Sequence, residues 1–290
     1  MESYPNRDTL VHLYYELYDE HPHRLLPLET ELPRKLQADS RDQYRIIMTM
    51  ILSERSDDYK LSKALGRLFH ICPDFNGLRF LSSKQQIIER ILAARAKGGC
   101  GFGGYNKPNG GGNDDRMSTF LNYYFRDLNL RITEQHIRSL ELAQKPSGFG
   151  PKFVRTLLAY CPLDADGPAD RNVLPLDRPG FEFLRQRFPA YDNKDNARED
   201  IEHKLRGDGQ ISLIDFHELL RFRYQTGGRD PNAFNNDDIR VVIGWNAWRL
   251  LCSTKREDIT KGPEWIRDNL VKHDSIAKKL WDFFNDVSGR

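Results

Sequence analysis

A turn between two predicted helices is the clearest structural signal in this sequence, PSGFGPKFVRTLL at residues 146–158. Helical periodicity before it runs into Gly148-Phe149-Gly150. Pro151 then suits the first position of a new helix, because the N–H that proline lacks has no partner within a helix there. The two glycines permit a tight turn whose backbone N–H groups point outward. The stretch therefore predicts two helices joined by a glycine hairpin.

The hairpin brings a lysine close to a helix N-terminus. Outward N–H groups at the positive end of a helix form an anion site that suits one DNA phosphate. Lys152 falls in the first turn of the second helix, where the same positive end lowers the pKa of an amine. Only a neutral lysine is a nucleophile. The pattern also fits an ordinary corner between two helices with an exposed lysine, and both interpretations stay open on these residues alone.

An aspartate follows the lysine after a further 25 residues. Asp177 stands in LPLDR, residues 174–178, at the end of a short apolar run. Packing rather than solvation fixes the position of a carboxylate in such a run. A carboxylate that faces Lys152 can take its proton or stabilise a sugar cation. We therefore expect Lys152 and Asp177 to share one site.

Helical periodicity dominates the rest of the chain. The stretch YRIIMTMIL at residues 44–52 is apolar nearly all round, which is typical of a buried central helix. One buried helix face is also predicted by the spacing of Leu61, Ala64, Leu65, Leu68 and Phe69. Alternating strand patterns are scarce. The sequence predicts an all-α protein.

Composition excludes several classes of protein. The chain has 290 residues, of which 39% are hydrophobic and 30% are charged, and it contains no apolar run of about 20 residues that would cross a membrane. The N-terminus lacks a basic segment followed by an apolar one, so we expect no secretory signal. Its four cysteines are widely spaced, without a CxxC pair, which is typical of a reduced, intracellular protein. We expect no metal and no cofactor.

Charge is distributed unevenly along the chain. The formal net charge is +2, but residues 51–155 alone carry +7. This excess predicts a polyanionic partner for the middle of the chain. A glycine-rich stretch at residues 98–112, GGCGFGGYNKPNGGG, lies in the same part. It lacks the GxxxxGK[ST] pattern of a phosphate loop, so we interpret it as a connection between helices.

Three stretches together resemble the helix–hairpin–helix DNA glycosylase superfamily, which includes endonuclease III and the 8-oxoguanine glycosylases. The segment GFGPKFVRTLL looks like the family hairpin, and LPLDRPGFEFLRQRF looks like the segment with the catalytic aspartate. IIMTMILSERSDDYKLSKALGRLF is similar to the early helix pair of the family, with Leu52, Ser53 and Asp58 in its pattern. The three occur in the family's order within about residues 41–190. The cysteines that bind the iron–sulfur cluster of endonuclease III are absent.

The resemblance implies a fold and a set of roles. It implies a two-lobed helical glycosylase fold, with a helical bundle at 42–160 and a second lobe formed by 1–41 and 161–290. Lys152 is implied as the catalytic nucleophile and Asp177 as the catalytic carboxylate. DNA contacts are implied for the early helix pair and the hairpin, at Ser53, Arg55, Gly148, Phe149 and Gly150. Tyr105 and Asn106, in the glycine-rich stretch, are candidates for the base pocket.

The resemblance also implies an activity and a partner. We expect a monomer that excises a damaged, oxidised base from double-stranded DNA and cleaves the strand at the abasic site through a Schiff base on Lys152. Two alternatives stay open. A non-catalytic DNA-binding module would use the hairpin for phosphate contact only, and a monofunctional glycosylase would rely on Asp177 alone.

Overall fold

A computed structural model describes residues 3–23, 25–52, 58–71, 131–137, 151–161, 163, 171–253, 278, 279 and 282. Helices account for the regular structure of these residues, and no strand occurs among them, which confirms the expected all-α class. The α helices are α1 (Arg7–Asp19), α2 (Gln43–Leu52), α3 (Asp58–Ile71), α4 (Pro151–Tyr160), α5 (Arg178–Arg187), α6 (Lys194–Leu205), α7 (Leu213–Thr226) and α8 (Asn236–Ser253). Within these described stretches, no helix combines the length and apolarity needed to cross a membrane.

Side-chain caps determine where several helices begin. Asp177 accepts a hydrogen bond from the Gly180 N–H at 2.9 Å and caps α5. In the same way, Ser212 caps α7 by accepting a hydrogen bond from the backbone N–H of Asp215. Such bonds satisfy N–H groups that have no partner within the helix. The Pro151 that the sequence predicts at the start of a helix is the first residue of α4.

Buried apolar side chains form two main clusters. The first contains residues of α2, α3, α4 and α8, including Ile47, Leu65, Leu157 and Leu251. The second contains residues of α1, α5, α6 and α7, including Leu13, Leu184, Ile201 and Phe216. Helix α7 lies between the two, because it packs on α5 and also contacts α8. The division into lobes at 42–160 and 1–41 with 161–290 stays a prediction.

Close backbone packing joins α3 to α8 at Gly244. A Cβ atom on Gly244 would lie 2.4 Å from the Tyr59 backbone nitrogen, a separation that no side chain permits. Ser62 Oγ donates a hydrogen bond to the Gly244 carbonyl oxygen at 2.9 Å. This contact fixes the first turn of α3, which begins at Asp58.

Buried charges join the N-terminal segment to α7 and α8. Arg41 Nη2 lies 2.9 Å from Glu29 Oε2, and Arg249 pairs with Glu218. All four side chains are almost completely buried. Asp215, in the first turn of α7, accepts hydrogen bonds from the backbone and hydroxyl of Thr30. This buried ion-pair network holds the segment before α2 against the two C-terminal helices.

Candidate functional site

Lys152 and Asp177 line one cavity of about 410 Å³. This volume is within the range of small-molecule sites in proteins. The wall also contains charged, polar and aromatic side chains, among them Asp58, His217, Arg221, Gln225, Trp245 and Trp248. The structure thus brings together the lysine and the aspartate that the sequence pairs.

Three helices begin at this cavity. Asp58 is the first residue of α3, Lys152 is the second of α4, and Asp177 caps α5. The N-terminus of a helix carries a partial positive charge. These three ends therefore favour carboxylates and oppose a protonated amine. The opposite wall comes from α7 and α8.

Asp177 is an ionised carboxylate in this environment. Its side chain is buried, with 5% of the residue surface exposed. Burial by itself raises the pKa of a carboxyl group. The charge that His217 carries when it is protonated at acid pH, the charges of Arg221 and Lys152, and the Gly180 N–H outweigh it and lower the pKa of Asp177. Arg221 Nε lies 3.1 Å from Asp177 Oδ2. Asp177 thus supplies a negative charge to the cavity at neutral pH.

Lys152 stands in the cavity wall with part of its surface open to solvent. Although the side chain is exposed, desolvation by the surrounding protein lowers the pKa of Lys152. The negative charge of Asp177 opposes the shift, whereas Arg221 adds to it. Lys152 therefore has a larger neutral fraction than a solvated lysine, together with access to solvent for the proton that it loses.

Arg221 connects two carboxylates of the cavity. Its Nη2 donates to both oxygens of Asp58 at 2.6 Å, and its Nε is the atom closest to Asp177. The guanidinium carbon lies 5.0 Å from the centre of the Trp245 ring, a distance typical of a cation–π contact. Burial alone lowers the pKa of Arg221, but Asp58 and Asp177 raise it above its usual value. Arg221 is therefore a permanent cation between the two acids.

His217 is a buried, neutral imidazole. Only 5% of its surface is exposed, and burial lowers its pKa to about 4 although Asp177 opposes the shift. Its Nδ1 has no hydrogen-bond partner within the described part of the chain. The same is true of Trp245 Nε1 and Gln225 Oε1. Unpaired buried polar atoms are rare in native proteins and are commonly found at functional sites.

The sequence did not predict the contribution of α7. His217, Arg221 and Gln225 are spaced four residues apart, so they lie along one face of the helix, and all three line the cavity. This row of polar side chains on one face of α7, at a spacing of four residues, is the signal that was available. The remaining predicted site residues lie outside the described residues: Ser53, Arg55, Tyr105, Asn106, Gly148, Phe149 and Gly150.

The arrangement combines an amine of lowered pKa with an ionised carboxylate. Such a pair suits attack on an electrophilic carbon next to a developing positive charge. No protein-family model, curated protein or solved structure matches this chain. The functional interpretation therefore depends on the geometry of the cavity itself.

Proposed function

We propose that this protein is a DNA repair glycosylase that excises a damaged, oxidised base and cleaves the DNA strand through a Schiff base on Lys152. The observation that carries the proposal is the cavity that Lys152 and Asp177 share, in which the pKa of the amine is lowered and the carboxylate stays charged. A Schiff-base enzyme needs a neutral lysine. A glycosidic bond that breaks with positive charge on the sugar needs a nearby anion.

The proposed reaction begins when the damaged nucleotide is flipped out of the duplex into the cavity. The N-glycosidic bond breaks, and the base leaves with the bonding electrons and is protonated. Lys152 Nζ forms a bond to C1′, and loss of the amine proton and opening of the sugar give the Schiff base. Removal of a C2′ proton then expels the 3′ phosphate, which cleaves the strand. Asp177 stabilises the positive charge on the sugar during these steps.

The proposal includes the finer features implied by the resemblance. These are a two-lobed glycosylase fold, a helix–hairpin–helix that holds the DNA backbone through Gly148, Phe149 and Gly150, and a role for Ser53 and Arg55 beside the flipped base. Tyr105 and Asn106 are proposed for base recognition. The positive charge of residues 51–155 favours DNA as the partner.

Borohydride trapping tests the proposal directly. Duplexes that carry an abasic site, 8-oxoguanine, thymine glycol or uracil are incubated with the protein and borohydride, and a covalent protein–DNA band is sought. We expect a band that Lys152→Ala abolishes. Lys63→Met is the matched control, because Lys63 lies on α3 and is not among the cavity residues.

The other outcomes identify the alternatives. Base release without a trapped band, lost in Asp177→Asn and kept in Lys152→Ala, would indicate a monofunctional glycosylase. DNA binding that survives both substitutions, without base release or trapping, would indicate a non-catalytic DNA-binding module. Either result contradicts the Schiff-base mechanism.

A further inference from the structure

Two carboxylates near a lysine ordinarily stabilise its protonated form. Asp58 and Asp177 both lie in the wall of the cavity with Lys152, and both raise its pKa. A lysine that pairs with a buried carboxylate remains an ammonium and cannot attack carbon. For Lys152 to act as an amine, some other group must keep these two carboxylates from pairing with it.

Arg221 is placed to do this through its contacts. Its Nη2 donates to both Asp58 oxygens at 2.6 Å, while its Nε lies 3.1 Å from Asp177 Oδ2. The planar guanidinium thus holds Asp58 through hydrogen bonds and Asp177 through an ion-pair contact without hydrogen-bond geometry. Trp245 adds a contact with one face of the guanidinium.

The same contacts change the charge that Lys152 experiences. The guanidinium cancels one of the two negative charges, and its own positive charge lowers the pKa of Lys152. The titratable and charged groups that face Lys152 come from several elements. They are Asp58 from α3, Tyr160 from α4, Asp177 and Arg178 from the start of α5, Lys194 from α6, and His217 and Arg221 from α7.

We propose that Arg221 is a positioning residue of this site: by binding Asp58 and Asp177 together, it prevents either carboxylate from pairing with Lys152 and so keeps the lysine available as an amine. The inference deepens the proposed glycosylase function and rests on it for its biological meaning. The effect on Lys152 itself is a property of the protein without DNA, so it is measured separately.

Acetylation of Lys152 measures this effect in the intact protein without DNA. Short pulses of acetic anhydride are applied from neutral to strongly alkaline pH, and mass spectrometry quantifies the modified Lys152 peptide. In Arg221→Gln, we expect the midpoint of the pH profile to rise by about 1 unit, because the positive charge of Arg221 that lowers the pKa of Lys152 is lost. In Asp58→Asn, the midpoint falls, because a negative charge that favours the ammonium is lost.

Opposite shifts distinguish this role from a structural one. Arg221→Lys keeps the charge but loses the fork, so its midpoint rises less than that of Arg221→Gln. Arg223→Gln is the control, because Arg223 lies on the same helix and pairs with Glu20 at 2.9 Å outside the cavity. Its midpoint stays at the wild-type value. If Arg221→Gln does not fold, Arg221→Lys and Asp58→Asn still give shifts of opposite sign.

The inference is overturned if the substitutions lower the melting temperature while the midpoint of Lys152 stays unchanged in all of them. It is also overturned if Arg221→Gln and Asp58→Asn move the midpoint in the same direction. Shifts of opposite sign in a protein that gives no trapped band with any DNA would support the role of Arg221 and reject the proposed Schiff-base step. Opposite shifts of the acetylation midpoint, together with equal shifts in the pH dependence of borohydride trapping, would support both the role of Arg221 and the glycosylase proposal.

Discussion

At the scale of single residues, Asp177 combines two roles that can be separated. Its Oδ1 caps α5 and its Oδ2 faces Arg221. Asparagine caps a helix as well as aspartate does, whereas alanine does not. We therefore expect Asp177→Asn to unfold at a higher urea concentration than Asp177→Ala, with a difference of about 1 kcal/mol. Both variants should lose base release, and equal stability of the two would contradict the capping role.

A second residue-scale prediction concerns Asp215. Burial raises its pKa to about 6, although hydrogen bonds from Thr30 oppose the shift. A raised carboxyl pKa stabilises the fold below the unfolded value of about 4, and this contribution is lost as pH rises through the folded value. The free energy of unfolding of the wild type should therefore fall by about 2 kcal/mol more than that of Asp215→Asn between pH 4 and pH 8. Urea titrations at both pH values measure it, and parallel curves would contradict it.

Lys152 and Asp177 were predictable because each has a local signal. Lys152 follows two glycines and a proline in the sequence, and Asp177 ends an apolar run and caps a helix. Arg221 was not predictable, because its partner Asp58 is 163 residues away and no local pattern links them. The polar row on α7 indicates a helix face that does not belong to the apolar core. Which other helices this face contacts is determined only by tertiary packing.

At the scale of helices, the contact between α3 and α8 positions Asp58 in the cavity wall. Gly244 lets the backbone of α8 approach Tyr59 and Asp58. We expect Gly244→Ala to force α3 away, to lower the free energy of unfolding by about 1–3 kcal/mol or more, and to weaken the Asp58–Arg221 pair. Gly209→Ala is the control, since a Cβ there meets no atom within 4 Å. Thermal melts and trapping assays on both variants test this, and equal behaviour would contradict it.

The helical elements were largely predictable, because the periodicity that defines them is local. The apolar stretch at 44–52 forms the buried helix α2, and Pro151 begins α4 as expected. The packing partners were less predictable. Helix α8 shares an apolar cluster with α2 and α3, a contact between distant parts of the chain that periodicity does not encode.

At the scale of the whole molecule, stability depends on the buried ion-pair network. Arg249→Met would remove the cation beside the buried carboxyl of Glu218, whose pKa burial raises to about 7, so we expect a loss of about 3–5 kcal/mol in the free energy of unfolding at alkaline pH, where Glu218 is ionised. Arg185→Met is the matched control, because Arg185 pairs with Glu182 at 2.6 Å on the surface, where such pairs contribute less than about 1 kcal/mol. Urea unfolding of the two variants compares them, and similar losses would contradict the role of the network.

The Asp58–Arg221 pair also affects when, during synthesis of the chain, the cavity residues can come together. A chain that ends before α7 contains Lys152, Asp58 and Asp177 but not the arginine that separates them. Such a chain therefore lacks the cation that, in the proposed role, holds the two carboxylates away from Lys152. Under the proposed role of Arg221, Lys152 is held as an amine only after α7 has been synthesised and packed, so its acetylation midpoint would report folding of this site.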